Sequence, residues 1–148
     1  MLGCVGSERG GVRKLAVTAL GPVVEAAPDL FASESFQTSF AACCDSSQPR
    51  SVREAATAIV GRVLQHPGAD PRLLLFALRM LTDEGVSVRK RAVAILRAEL
   101  HRPRAGALAV PLCCALVQRL GDVEEEETVK DAVVAALRDL WFGGSGAG

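Results

Sequence analysis

The sequence predicts an all-α protein built as a solenoid of about three and a half stacked helical hairpins. Three observations carry this. A nine-residue pattern recurs four times, as Val12-Arg13-Lys14-Leu15-Ala16-Val17-Thr18-Ala19-Leu20, Val52-Arg53-Glu54-Ala55-Ala56-Thr57-Ala58-Ile59-Val60, Val88-Arg89-Lys90-Arg91-Ala92-Val93-Ala94-Ile95-Leu96 and Val129-Lys130-Asp131-Ala132-Val133-Val134-Ala135-Ala136-Leu137, with starts 40, 36 and 41 residues apart. The apolar positions also share one helical phase. At about 100° per residue, Val88, Ala92, Val93, Ile95 and Leu96 form one arc with Leu100 at its edge, while Lys90, Arg97 and His101 gather opposite. The same rotation buries Ala56, Ile59, Val60 and Val63 after Val52, and Val133, Ala136, Leu137 and Leu140 after Val129. Finally, the chain is 49% hydrophobic with 5 Phe, 1 Trp and no Tyr. Its apolar mass is therefore Ala, Val and Leu, which suits helices packed closely through small side chains.

A period near 40 belongs to helical-pair repeats of the HEAT and armadillo type. We divide the chain into an N-terminal remnant (residues 1–10), a HEAT-repeat array (11–142) and a flexible Gly-rich tail (143–148). Only 11 residues precede Val12, so the first hairpin is expected to lack its leading helix and to expose apolar surface on the helix it keeps. Residues 31–44 form the next leading helix, capped by Ser33 or Ser35. Residues 71–81 form another, with Asp70 as N-cap and Pro71 at the favoured first position. Residues 106–120 form the third, which Pro111 should kink or restart. The Val129 helix closes on Trp141 and Phe142, and Trp141, at the edge of the stripe, is expected in the core or in a seam to a following repeat. The uncapped ends predict a piece of a longer solenoid.

Lys plus Arg and Asp plus Glu number 17 each, so there is no whole-chain attraction to nucleic acid or anionic membrane. The longest run of apolar and small residues, 105–117, falls short of a membrane span and contains Pro111. Glu8, Arg9, Arg13 and Lys14 arrive too early for a signal peptide. Four of the 5 cysteines form the adjacent pairs Cys43-Cys44 and Cys113-Cys114, with Cys4 apart, and no Cys-x-x-Cys occurs. They read as buried thiols of a reducing compartment, not as zinc ligands. No catalytic constellation appears. His66 and His101 have no acid or nucleophile at a motif spacing, and no phosphate loop is present, so no enzyme activity, metal or cofactor is expected. His66, in the turn Gln65-His66-Pro67-Gly68, is expected to contact the carbonyls that end its helix.

Two sets of charged positions stand out. Asp45 precedes Arg53, Asp83 precedes Arg89 and Asp122 precedes Lys130, each basic residue lying at the edge of the apolar stripe. Such a residue can reach a carboxylate in its own or the next turn, and a stacked ladder of these pairs would fix the repeat spacing. Lys90, Arg97 and His101 face away from the stripe with Arg91, Arg102 and Arg104 near them. They make a locally basic ridge, read either as a contact for phosphate or an acidic partner or as a solvated helix face. The run Glu124-Glu125-Glu126-Glu127 complements the positive N-terminal dipole of the last helix.

At these motifs the chain resembles a known family. Ser51-Val52-Arg53-Glu54-Ala55-Ala56 resembles a HEAT repeat of the cohesin loaders (Nipped-B or adherin, a sister chromatid cohesion protein). Residues 85–97, including Ser87-Val88-Arg89-Lys90-Arg91, resemble the best-marked stretch of that family's C-terminal HEAT-repeat region. Glu127-Thr128-Val129-Lys130-Asp131, running on to Leu140-Trp141-Phe142, resembles the repeat that follows. The resemblance implies a non-enzymatic, nuclear HEAT scaffold that loads cohesin onto chromatin for sister chromatid cohesion, DNA repair and gene regulation. It implies contacts with cohesin's kleisin and SMC ATPase heads, and with duplex DNA as a further candidate. Lys90, Arg91 and Arg97 match the family's basic stretch and become the candidate DNA or partner contacts. The alternative is a HEAT scaffold of another class, such as a condensin-type subunit or a nuclear transport receptor.

Overall fold

The computed structural model describes residues 10–143, and within them seven α-helices and no strand form an all-helical repeat fold. The helices are α1 (Gly10–Ala26), α2 (Glu34–Cys43), α3 (Arg50–Leu64), α4 (Leu74–Met80), α5 (Val86–Leu100), α6 (Ala109–Gly121) and α7 (Glu127–Phe142). The leading helices are shorter than their apolar patterns suggest because each begins with a 3₁₀ segment: Pro28–Ala32, Pro71–Leu73 and Pro103–Leu108. A proline opens every one of these, where its missing N–H has no acceptor to lose. Ser33 caps α2 by accepting from the Phe36 N–H at 3.4 Å, and Asp70 accepts from the Arg72 N–H at 2.9 Å. Pro111 falls in the first turn of α6, so the helix restarts at Ala109 instead of bending further on.

The odd-numbered helices stack side by side, α1 on α3, α3 on α5 and α5 on α7. The even-numbered helices cover one face of that row: α2 on α3, α4 on α3 and α5, α6 on α5 and α7. The shared helical phase explains this arrangement. Val52, Ala56, Ile59, Val60 and Val63 on α3 are buried, as are Val88, Ala92, Val93, Ile95 and Leu96 on α5 and Val129, Val133, Ala136 and Leu137 on α7. Each fully buried Val, Leu or Ile contributes about 1.5–3 kcal/mol relative to exposure. Alanine on the facing turns lets the backbones approach. Where aromatics occur they cluster: Phe31 lies edge-on to Phe36 and to Phe40, both with centroids 5.1 Å apart, and Phe40 meets Phe76 of α4 at 5.5 Å. This cluster ties α2 to α4.

Two sequence expectations need correction. Trp141 is 62% exposed, which removes it from the core and leaves only the seam reading, and no described helix follows α7. Cys114 is exposed on the outer side of α6, and only Cys43 and Cys44 are buried among the described cysteines. Pro22 lies inside α1, which continues to Ala26 around it. The outer flank of α1 leaves Val12, Leu15 and Val23 exposed. Residues 1–9, with Cys4, and the tail from Gly144 lie outside the described residues. Among the described residues no helix is long and apolar enough to cross a membrane.

Candidate interaction surface

The turn inside each of the last two hairpins is held by an arginine from the hairpin before it. Arg53 on α3 is only 2% exposed. Its Nε donates to Asp83 Oδ2 at 2.8 Å, its Nη2 to Asp83 Oδ1 and Glu84 Oε1 at 3.1 Å each, and its Nη1 to the Gln48 carbonyl. Hydrogen bonding to Asp83 raises the Arg53 pKa, against the opposing effect of burial. One hairpin later Arg89 repeats the arrangement. Its Nε and Nη2 lie 3.0 and 2.7 Å from Glu125 Oε1, and its Nη1 donates to the Asp83 carbonyl at 2.7 Å. Glu125 is buried and also accepts from Arg119 at 3.2 Å. Burial alone would raise the Glu125 carboxyl. Hydrogen bonds from Arg89 and the Glu126 N–H, with the charges of Arg89 and Arg119, outweigh that and hold it below its usual value.

The pairing departs from the aspartate ladder in three places. Asp45 closes its own turn by accepting the Ser47 N–H at 2.9 Å and pairs with Arg79 at 3.7 Å. Asp122 likewise accepts the Glu124 N–H at 3.0 Å, so Glu125 is the carboxylate that reaches Arg89. Lys130 pairs with Glu127 on its own helix at 3.3 Å. The acidic run thus divides its work. Glu125 enters the turn core, while Glu126 caps α7 by accepting the Thr128 N–H at 2.8 Å.

The basic ridge is also narrower than the sequence suggests. Arg104 turns inward: its Nε lies 2.6 Å from Oε1 of buried Glu99, and its Nη1 donates to the carbonyls of His66 and Pro67 at 3.0 and 3.2 Å. Arg102 donates to the Gln65 carbonyl at 3.1 Å. These two arginines pin the turn after α3, and His66 takes part through its carbonyl oxygen, not its ring. Lys90, Arg91 and Arg97 remain exposed on α5. Arg97 pairs with Asp139 of α7, whereas Lys90 and Arg91 form no ion pair among the described residues.

These three side chains flank two grooves on the outer side of the odd-numbered row. One, about 520 Å³, lies between α3 and α5 over Ala55, Ala58, Ala94 and Ala98, with Arg62, Arg91 and Arg102 on its walls. The other, about 390 Å³, lies between α5 and α7 and is lined by Lys90, Arg97, His101 and Asp139. The grooves and the part Arg62 plays in them are missing from the sequence reading. Their one signal is alanine recurring at helical spacing on the polar side of each repeat. Among the described residues no group of three or more His, Cys, Asp or Glu is placed to hold a metal ion.

No protein-family model matches the chain, and no solved structure matches it. Curated proteins do. Nipped-B-like protein A of Danio rerio is 32% identical over 145 residues, which is 96% of this chain and 6% of that protein. The Nipped-B-like proteins of Mus musculus and Homo sapiens are each 31% identical over 144 residues, 96% of this chain and 5% of theirs. The chain therefore spans about a twentieth of the length of these relatives. Over nearly its whole length, this helical array is a relative of the Nipped-B-like proteins, matched to one short segment of them.

Proposed function

We propose that the chain is a non-enzymatic HEAT scaffold corresponding to a segment of a cohesin loader, working in the nucleus on chromatin. The observation that carries this is the similarity to Nipped-B-like proteins across 96% of the chain. The contact surface is the outer face of α5, where Lys90 and Arg91 have no ion-pair partner among the described residues and Arg97 shares Asp139. The buried arginine–carboxylate pairs are structural: they set the spacing of hairpins that present this face. The partners on this reading are cohesin's kleisin and SMC ATPase-head subunits. Duplex DNA is the second candidate on the same face, favoured by the unpaired Lys90 and Arg91, which suit phosphate contacts.

The test is capture of separately purified cohesin subunits, and anisotropy of a labelled duplex, with the wild-type chain and with Lys90→Glu/Arg91→Glu. Both substitutions lie on exposed helix, so circular dichroism should match wild type. Capture lost in the variant supports the reading. Subunit capture that is absent, or identical for both proteins, overturns it. Duplex binding through Lys90 and Arg91 should weaken with salt by about one log-log unit per phosphate contact.

A further inference from the structure

We infer that the groove between α3 and α5 is a docking site for an extended acidic polypeptide segment, its carboxylates bound by Arg91 at one end and by Arg62 and Arg102 at the other. This rests on the reading of that face as a contact surface and names the partner's chemistry.

Charge is the first argument. The groove walls carry three guanidiniums, those of Arg62, Arg91 and Arg102, against the single carboxylate of Glu99. Glu99 is 2% exposed and shared by two guanidiniums, Arg102 and Arg104, so that cluster keeps one positive charge in excess. Arg62 is 43% exposed and shares Glu25 at 3.3 Å. Arg91 is free of ion pairs among the described residues. A wall this unbalanced on a chain of zero net charge complements an anionic ligand.

Shape decides which anion. The floor is Ala55, Ala58, Ala94 and Ala98, and about 520 Å³ lies above it. That space receives side chains of a single strand of polypeptide. A double helix would bridge the rims and leave the apolar floor uncovered. Arg91 and Arg102 are eleven positions apart on or just beyond α5, about 16 Å along the helix axis. An extended segment advances about 3.3 Å per residue, so its two acidic side chains would lie about five positions apart, with small apolar residues between them.

The test is fluorescence anisotropy on the whole chain. The probe is a labelled extended peptide with acidic residues about five positions apart and Ala and Leu between them. Its Asn/Gln analogue and a labelled duplex are run beside it. Arg91→Glu removes the free anchor, and Ala98→Trp fills the floor without changing charge; both positions are exposed, and circular dichroism checks folding. The inference expects binding of the acidic peptide alone, weakened at least about tenfold by either substitution, or about 1.4 kcal/mol. Equal binding of the analogue overturns it, as does peptide binding that ignores Ala98→Trp. Duplex binding without peptide binding overturns it while leaving the contact-face reading intact. Peptide binding with no capture of cohesin subunits removes the loader reading and leaves the docking site standing.

Discussion

The guanidinium of Arg53 grips the carboxylate of Asp83, thirty residues further along the chain, through two hydrogen bonds of 2.8 and 3.1 Å, with both side chains less than 5% exposed. The pair joins α3 to the turn that launches α5. Because Asp83 also accepts the Gly85 N–H at 2.7 Å, the same carboxylate fixes the start of that helix. Replacing Arg53 by Met keeps most of the volume and leaves Asp83 buried and unpaired, which should destabilise the chain by about 3–5 kcal/mol. Arg97→Met is the control. Its partner Asp139 is 41% exposed, and such a surface pair contributes at most about 1 kcal/mol. Urea unfolding of the two variants measures the difference. Equal losses would mean that the Arg53 pair does not hold the hairpins together.

Glu125 should make stability depend on acid pH. Its pKa is lowered on folding, since the hydrogen bonds and charges of Arg89 and Arg119 overcome the effect of burial. Folding therefore favours the ionised form. The stabilisation is complete above the ordinary value of 4.5 and is lost as pH falls through the lower folded value. Glu125→Gln removes this titration. The stability gap between wild type and variant should be constant from neutral pH down to about 4.5 and shrink below it. A gap that stays constant into strong acid would show that Glu125 does not supply this pH dependence.

The repeats were legible in the chain because a buried stripe must recur in phase: Val52, Val88 and Val129 each open a helix whose predicted arc is buried, apart from half-buried Leu140. The role of Arg53 and Arg89 as stripe-edge groups was legible for the same reason. Their partners were not. Whether Asp122 or Glu125 meets Arg89 depends on how the turn folds, and Asp122 is taken by the Glu124 N–H. Arg102 and Arg104 looked like surface charge because, besides Glu99, their acceptors are carbonyls of residues 64–67, more than thirty positions earlier, and a carbonyl leaves no mark on sequence. The groove was hidden because alanine on a polar face is also what a good helix former looks like.

Two helical glycines should respond oppositely to the same substitution. A Cβ on Gly61 would lie 3.0 Å from Ile95 Cγ1 and 3.2 Å from Cδ1, where α3 packs against α5. A Cβ on Gly21 would meet only the guanidinium of Arg62, the tip of a side chain that can swing away. Ala favours a helix interior over Gly by about 1 kcal/mol. Gly21→Ala should therefore be neutral to slightly stabilising even with the Arg62–Glu25 pair lost, since that exposed pair is worth at most about 1 kcal/mol. Gly61→Ala should lose stability, and Gly61→Leu more, because overpacking costs about 1–3 kcal/mol. Denaturant midpoints decide this. Equal midpoints for the two Ala variants would mean that α3 and α5 are not in close contact at Gly61.

The thiols give a reading of how tightly the α2–α3 junction is closed. Cys44 is 2% exposed, and burial, then the neighbouring charge of Cys43, push its pKa up to about 12 against the opposing charge of Arg79. The thiolate is the reacting species, so Cys44 is protected by both access and ionisation. Cys114 is exposed, and Cys113 beside it is half-buried with a pKa raised by burial and then by Cys114. Limited alkylation at neutral pH, mapped by peptide mass spectrometry, should modify Cys114 first and Cys113 more slowly. Cys44 should react only through opening of the fold, at a rate that rises with added denaturant and follows global stability. Cys44 alkylated as fast as Cys114 in native buffer would mean that the turn carrying Asp45 and Gln48 opens locally. Arg53 would then be anchored by Asp83 and Glu84 alone.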